Sequence, residues 1–296
     1  MIRLDAATVL LQWATGGLLF LWVTSRGREV GIGYGWLLRA SYGVIAAGAL
    51  VVGRRLEPVA ARDASAALVV VATATALAVS VVRRRAGVAG ERARRARRAA
   101  RVAAMAAGGT DAERPAMPPA RREGRREPDP GVAEFPPVLD LVAPLIGAVG
   151  LVAAGVAAGG PDGLAVGRTL VGAAFLGAVT DAMLLGHWYL VQPGLGRAPL
   201  LALNRWLARL WPVEVAVLLW PTGMLSVFSG AVDDGYGGIL GWFWATCAAS
   251  TLALTFVTRA ALKERAYSAV MAATGLLYLA ILTAFGTDLV ARAVLA

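Results

Sequence analysis

The sequence has a single cysteine, Cys247, a single histidine, His187, and a single lysine, Lys263. One cysteine excludes an intrachain disulfide and any cysteine-built cluster or zinc site within one chain. Cys247 lies in an apolar run and reads as an inert buried thiol. One histidine excludes a bis-histidine haem b unless a partner, a second copy or a methionine supplies the other axial ligand. It also excludes an H-E-x-x-H zinc motif, and no C-x-x-C-H is present for c-type haem attachment. There is no P-loop. Gly31-Ile-Gly33-Tyr-Gly35 lacks the rest of a nucleotide fingerprint. No G-x-S-x-G elbow occurs, so no catalytic residue and no independent catalytic activity are expected. Nothing calls for a metal.

Charge is also scarce. Charged residues make up 16% of the chain and hydrophobic ones 58%, where a soluble domain carries about 25% charged residues. Alanine, valine, glycine and arginine dominate, which reads as a GC-rich bacterial coding bias. The apolar residues gather into runs at about 6–24, 36–53, 64–82, 138–158, 166–191, 212–230, 238–258 and 267–291. Crossing the hydrocarbon core takes about 20 apolar residues. The runs do not alternate as barrel strands would, and an open sheet cannot satisfy its edges in lipid. The expectation is an all-α integral membrane protein, a polytopic bundle of about eight transmembrane helices. The first run is too long for a signal-peptide core and is expected to remain as the first span.

Between the third and fourth runs, residues 83–134 hold 14 arginines against 7 acids. Basic loops stay in the cytoplasm. With eight spans, both termini then fall outside, and 23 of the 29 basic residues lie inside. The organisation expected is a three-span half (1–83), a basic and Pro-rich cytoplasmic linker (84–137) and a five-span half (138–296). The membrane is expected to be the bacterial plasma membrane.

Within the linker, Arg94, Arg97, Arg98 and Arg101 share one face of an Arg/Ala helix, with mostly alanine opposite. They read as a topogenic signal, or as a docking face for anionic lipid or an acidic partner subunit. No aromatics are interleaved with them, so no nucleic-acid partner is expected. The seven prolines between Pro115 and Pro137 read as a disordered tether. Closely spaced glycines, such as Gly43 and Gly48, read as helix-packing positions.

The segment richest in chemistry runs from Thr180 to Gly194. Asp181 falls near mid-membrane, where an ionisable group costs at least about 2.5–3.5 kcal/mol unless it faces protein or water. It is the candidate proton carrier. His187, Trp188, Tyr189 and Gln192 follow towards the inner face. Glu214, just after Pro212 at the start of the sixth run, is expected at the same depth. Leu200–Trp211 is expected to lie in the interface as a separate helix.

Three readings follow. A pocket of His187, Trp188, Tyr189, Gln192 and Glu214 offers hydrogen-bond donors, aromatic walls and a proton carrier to a quinone, in a quinone-contacting or anchoring membrane subunit of an electron-transfer complex. Asp181 and Glu214 alternatively serve a small-solute or proton-coupled transporter. In a plain membrane scaffold, the same residues meet head groups, water or neighbouring helices.

Overall fold

The computed structural model describes residues 5–93, 96, 100, 133–159, 162–192, 195–264 and 266–295. The proposed docking arginines Arg94, Arg97, Arg98 and Arg101 lie outside these residues, as does most of the linker.

Among the described residues all regular structure is helical. The helices are α1 (Ala6–Ser25), α2 (Ile32–Leu56), α3 (Ala60–Val82), α4 (Leu139–Ala157), α5 (Asp162–Val191), α6 (Ala198–Leu219), α7 (Leu225–Phe228), α8 (Ile239–Ala261) and α9 (Tyr267–Leu295). A 3-10 turn, Arg83–Ala86, follows α3. Most ends fall within a few residues of the apolar runs, as expected when the run itself sets the helix.

Seven of these helices are long and apolar enough to cross a membrane: α1, α2, α3, α4, α5, α8 and α9. The expected count of about eight is therefore corrected. The run 212–230 does not form one helix. Its first part joins the supposed interfacial segment in α6, which begins at Ala198, carries Pro212 inside it and stops at Leu219. Trp220 is extended (φ −85°, ψ 142°), as a residue before proline is driven to be. Gly223 then turns at φ +35°, and Met224 N donates back to Leu218 O at 3.0 Å. Asn204, Arg205, Arg209 and Glu214 set α6 apart from the apolar helices.

Contacts between helix ends define two ends of the bundle. At one, Ser25, Arg39, Ser80 and Asp140 meet, and Arg197 donates to the carbonyls of Leu262 and Ala266 at 3.1 and 2.8 Å. This connector end also receives both flanks of the linker. At the other, Gln12 of α1 bonds Asp288 of α9, and Arg168 of α5 reaches Val217 and Trp220 at the end of α6. The start of α1 and the end of α9 therefore share one end, opposite the linker.

The three helices before the linker and those after it share one core. α1 packs on α4 and α5, and α3 on α4. The main cluster joins Leu11, Leu18 and Leu21 of α1 to Tyr34 and Leu38 of α2, Phe175 and Leu176 of α5 and Leu277 of α9. α1 and α5 meet backbone to backbone. A Cβ on Gly16 would overlap the Ala173 carbonyl, and one on Gly177 would overlap Gly16. Small residues of this kind let helices approach closely where lipid gives no hydrophobic push. The outward surface is apolar: Val44, Val71, Val149 and Leu282 are 61–72% exposed. Charged Arg39, Arg62, Asp63, Asp140, Asp181, Glu214 and Asp288 are buried. Greasy outside and polar within is the arrangement that suits a lipid surrounding.

Candidate functional site: buried carboxyls between helices

Asp181 sits two-thirds of the way along α5, fully buried, facing α2. Tyr34, Leu38 and Tyr42 lie one turn apart on one face of α2. Tyr42 donates its hydroxyl to Asp181 Oδ1. Tyr34 donates to the Asp181 backbone oxygen at 3.2 Å. Gly17 leaves the space that the Tyr42 ring occupies. Asp181 Oδ2 is buried and receives no hydrogen bond. A buried acceptor without a donor costs about 1–3 kcal/mol, more when charged. Neighbouring Thr180 accepts from Trp13 Nε1 at 3.1 Å, and the Trp13 ring lies edge-on to Phe285.

The residues expected beside His187 are placed differently. His187 is exposed on the outside of the bundle, its Nδ1 3.5 Å from the Tyr278 hydroxyl. Trp188 donates to Gln192 Oε1 at 3.1 Å and tilts against Tyr34. Gln192 Oε1 also accepts from Gly31 N at 2.9 Å. Tyr189 donates to the Gly196 carbonyl at 2.5 Å. These bonds tie the end of α5 to the start of α2 and to the turn into α6.

Glu214 is not with them. It lies towards the opposite end of the bundle, one turn before Leu218, which packs with Ala291 of α9. The expected inner-face pocket of five residues does not assemble. Because α6 starts at Ala198, Glu214 is 16 residues into the helix, roughly 24 Å from its start at 1.5 Å per residue.

Sequence reasoning passed over two further buried clusters. At the connector end, Arg39 Nε and Nη2 donate to Asp140 Oδ1 and Oδ2 at 2.7 and 2.8 Å. Ser25 donates to Asp140 at 2.9 Å, Arg39 also reaches Ser80 at 3.2 Å, and the guanidinium lies over the Phe135 ring. At the terminal end, Arg62 joins Asp5 at 2.6 Å and Asp63 at 3.0 Å. The available signal was an ionisable residue inside an apolar run, which Arg39 and Asp140 share with Asp181.

Two hollows flank these groups. A small one at the connector end, about 40 Å³, has mostly apolar walls, Leu21, Val30 and Phe135 among them, with Arg39, Ser80 and Glu134 also on its lining. It exceeds the 10–15 Å³ or so that one water needs, and Tyr34, which lines it, donates to the Asp181 backbone carbonyl. An apolar lateral groove of about 430 Å³ lies between α6 and α8, lined by Trp211, Val215, Leu219, Trp244, Ala248 and Phe256 among others. Chemically, the buried carboxyls can take up and release protons; the groove can hold a hydrocarbon chain.

No protein-family model matches this sequence, and no curated protein or solved structure matches the chain.

Proposed function

We propose that the protein is an integral membrane protein of the bacterial plasma membrane that couples proton movement to transport of a small solute. The observation that carries the reading is Asp181: a fully buried carboxyl within a span, with one oxygen on Tyr42 and the other without a donor. Intramembrane ionisable groups are retained at a cost and mark ion or substrate paths. A water-sized hollow at the connector end is lined in part by Tyr34, whose hydroxyl donates to the Asp181 backbone carbonyl. The arginine excess favours a cytoplasmic 84–137 loop at that end; α6 also runs from the connector end to the terminal end beside the seven apolar helices, so both termini fall on the outer side.

The test is flux in reconstituted vesicles. A solute panel is driven by an imposed proton gradient and read with an internal pH dye. Wild type moves a solute with protons, and Asp181→Asn, which keeps the shape and the Tyr42 contact, loses the coupling. A wild-type protein that moves neither protons nor any solute on a broad panel sinks the reading.

The second reading is a quinone-contacting or anchoring membrane subunit of an electron-transfer complex. The lateral groove between α6 and α8 favours it, because its apolar walls suit an isoprenoid tail. Purification in mild detergent, followed by mass spectrometry and an absorption spectrum, detects bound quinone, haem and partner subunits together. A lone, quinone-free protein whose His187→Ala variant leaves membrane electron transfer unchanged removes this reading. Absence of flux, quinone and partners leaves a structural scaffold.

A further inference from the structure

The terminal end holds a buried polar cluster drawn from four helices. Gln12 of α1 donates Nε2 to both carboxyl oxygens of Asp288 on α9, at 3.1 and 3.2 Å. Arg292, one turn further along α9, donates Nε to the same two oxygens at 3.0 and 2.8 Å. Its Nη2 donates to the Arg168 carbonyl of α5 at 2.7 Å. The Arg168 guanidinium is turned away to the last carbonyls of α6, those of Val217 and Trp220. Gly172 of α5 makes the cluster possible, since a Cβ there would strike Gln12, Asp288 and Arg292.

Glu214 of α6 is fully buried, one turn before Leu218, which packs with Ala291 of α9. Neither of its carboxyl oxygens receives a hydrogen bond. The charged groups bearing on it are Asp288, Arg292 and Arg168. Arg292 and Gln12 are committed to Asp288, and Arg168 to backbone carbonyls. Gln12 Oε1 is also buried without a donor.

Two carboxylates cannot hydrogen-bond each other without a proton, and like charges this close do not both ionise. Asp288, with donors on both oxygens, is the member built to be the anion. Glu214, with none, is the member built to be the acid.

We infer that Glu214 and Asp288 form a second proton-binding site at the terminal end of the bundle, holding one proton between them, with Glu214 Oε–H donating to Asp288. Its ligand is the proton. Gly172 and Asp181 are nine residues apart on α5, roughly 14 Å at 1.5 Å per residue. The pair, which borders Gly172, therefore lies at a different depth from Asp181. Their partnership in coupling rests on the transport reading; the shared proton does not.

Infrared spectroscopy of the purified full chain in nanodiscs tests it. The readout is the carbonyl band of neutral carboxylic acid at pH 7, compared across wild type, Glu214→Gln, Asp288→Asn and Asp181→Asn. Glu214→Gln puts an amide donor where the acid hydroxyl was, so it should keep the wild-type melting temperature and lose one acid's share of the band. Asp288→Asn frees Arg292 to pair with Glu214, which then ionises, and the same share is lost. An acid band unchanged in both variants overturns the inference. Should neither fold, the band surviving in Asp181→Asn supports the pair, and no surviving band overturns it. An acid band from this pair in a protein that moves nothing in vesicles upholds the shared proton and sinks the transport reading.

Discussion

The Arg39–Asp140 pair allows a test whose sign is set by its surroundings. Both side chains are nearly inaccessible, at 3% and 1% exposure, and the bridge is bidentate. Removing one partner of a buried ion pair leaves a stranded charge and costs about 3–5 kcal/mol. Arg39→Leu strands Asp140, which keeps only the Ser25 hydroxyl at 2.9 Å. Asp140→Leu strands Arg39, which keeps Ser80 at 3.2 Å and the Phe135 face at 4.3 Å. A cation over an aromatic ring contributes about 0.5–2 kcal/mol, so Asp140→Leu should be the milder of the two, near about 3 kcal/mol, and Arg39→Leu nearer 5. The double variant strands nothing. Replacing both members of such a pair with apolar side chains is often neutral or better, so it should cost less than either single change. The assay is equilibrium unfolding in mild detergent, closed as a double-mutant cycle. Every 1.4 kcal/mol or so is tenfold in the equilibrium constant, so the singles should lose roughly two to four decades. A double variant whose cost equals the sum of the singles refutes the reasoning, because the charges would then be independently solvated.

Other consequences can be measured in the same preparations. Gly16→Ala forces a methyl against the Ala173 backbone, where nothing flexible can yield; it should cost at least about 1–3 kcal/mol, read as a lowered melting temperature and poor monodisperse yield. Tyr42→Phe keeps the ring but withdraws the donor from Asp181 Oδ1; it should cost about 1–3 kcal/mol and reduce coupled flux, and unchanged stability would show that Asp181 does not depend on that bond. Asp234, in the loop before α8, accepts from the backbone N–H groups of Gly238, Tyr236 and Leu240, and these bonds hold its carboxyl below the ordinary aspartate range. Its contribution to stability is therefore complete above the unfolded value of about 3.9 and is lost as pH falls through the lower folded value. Between pH 5 and pH 2 or so, wild type should lose stability that Asp234→Asn never had; parallel curves for the two would refute the assignment.

The helices were legible because a run of about 20 apolar residues leaves the backbone little alternative to a helix. The sixth run misled for a local reason. Val213 to Phe228 is apolar nearly throughout, and averaged hydropathy passes over Trp220-Pro221-Thr222-Gly223, where turn chemistry ends the helix. That error propagated to the site. With a helix start placed at Pro212, Glu214 fell beside His187; with the start at Ala198, it falls at the other end. Asp181 was visible as a charge inside a greasy stretch, and Asp288 and Arg292 were equally visible as an i, i+4 pair. Tyr42 and Gln12 were not. A tyrosine and a glutamine in an apolar run become partners of a carboxyl only when another helix brings it to them.

That dependence on a neighbouring helix has its centre in α5, which packs on α1, α4, α6 and α9 and has the largest buried share of the seven candidate spans. A helix surrounded by others needs no apolar stripe facing one way, so its sequence carries little periodicity to read. It needs small residues where backbones touch and polar residues where two neighbours can satisfy them. Gly172 and Gly177 meet the first need. Asp181 meets the second only in part, through Tyr42 on one oxygen. A helix selected for packing alone would carry alanine at 181, with no desolvation to offset. The carboxyl there, and the second carboxyl on α6 beside α5 that receives no hydrogen bond, are the features that packing does not explain.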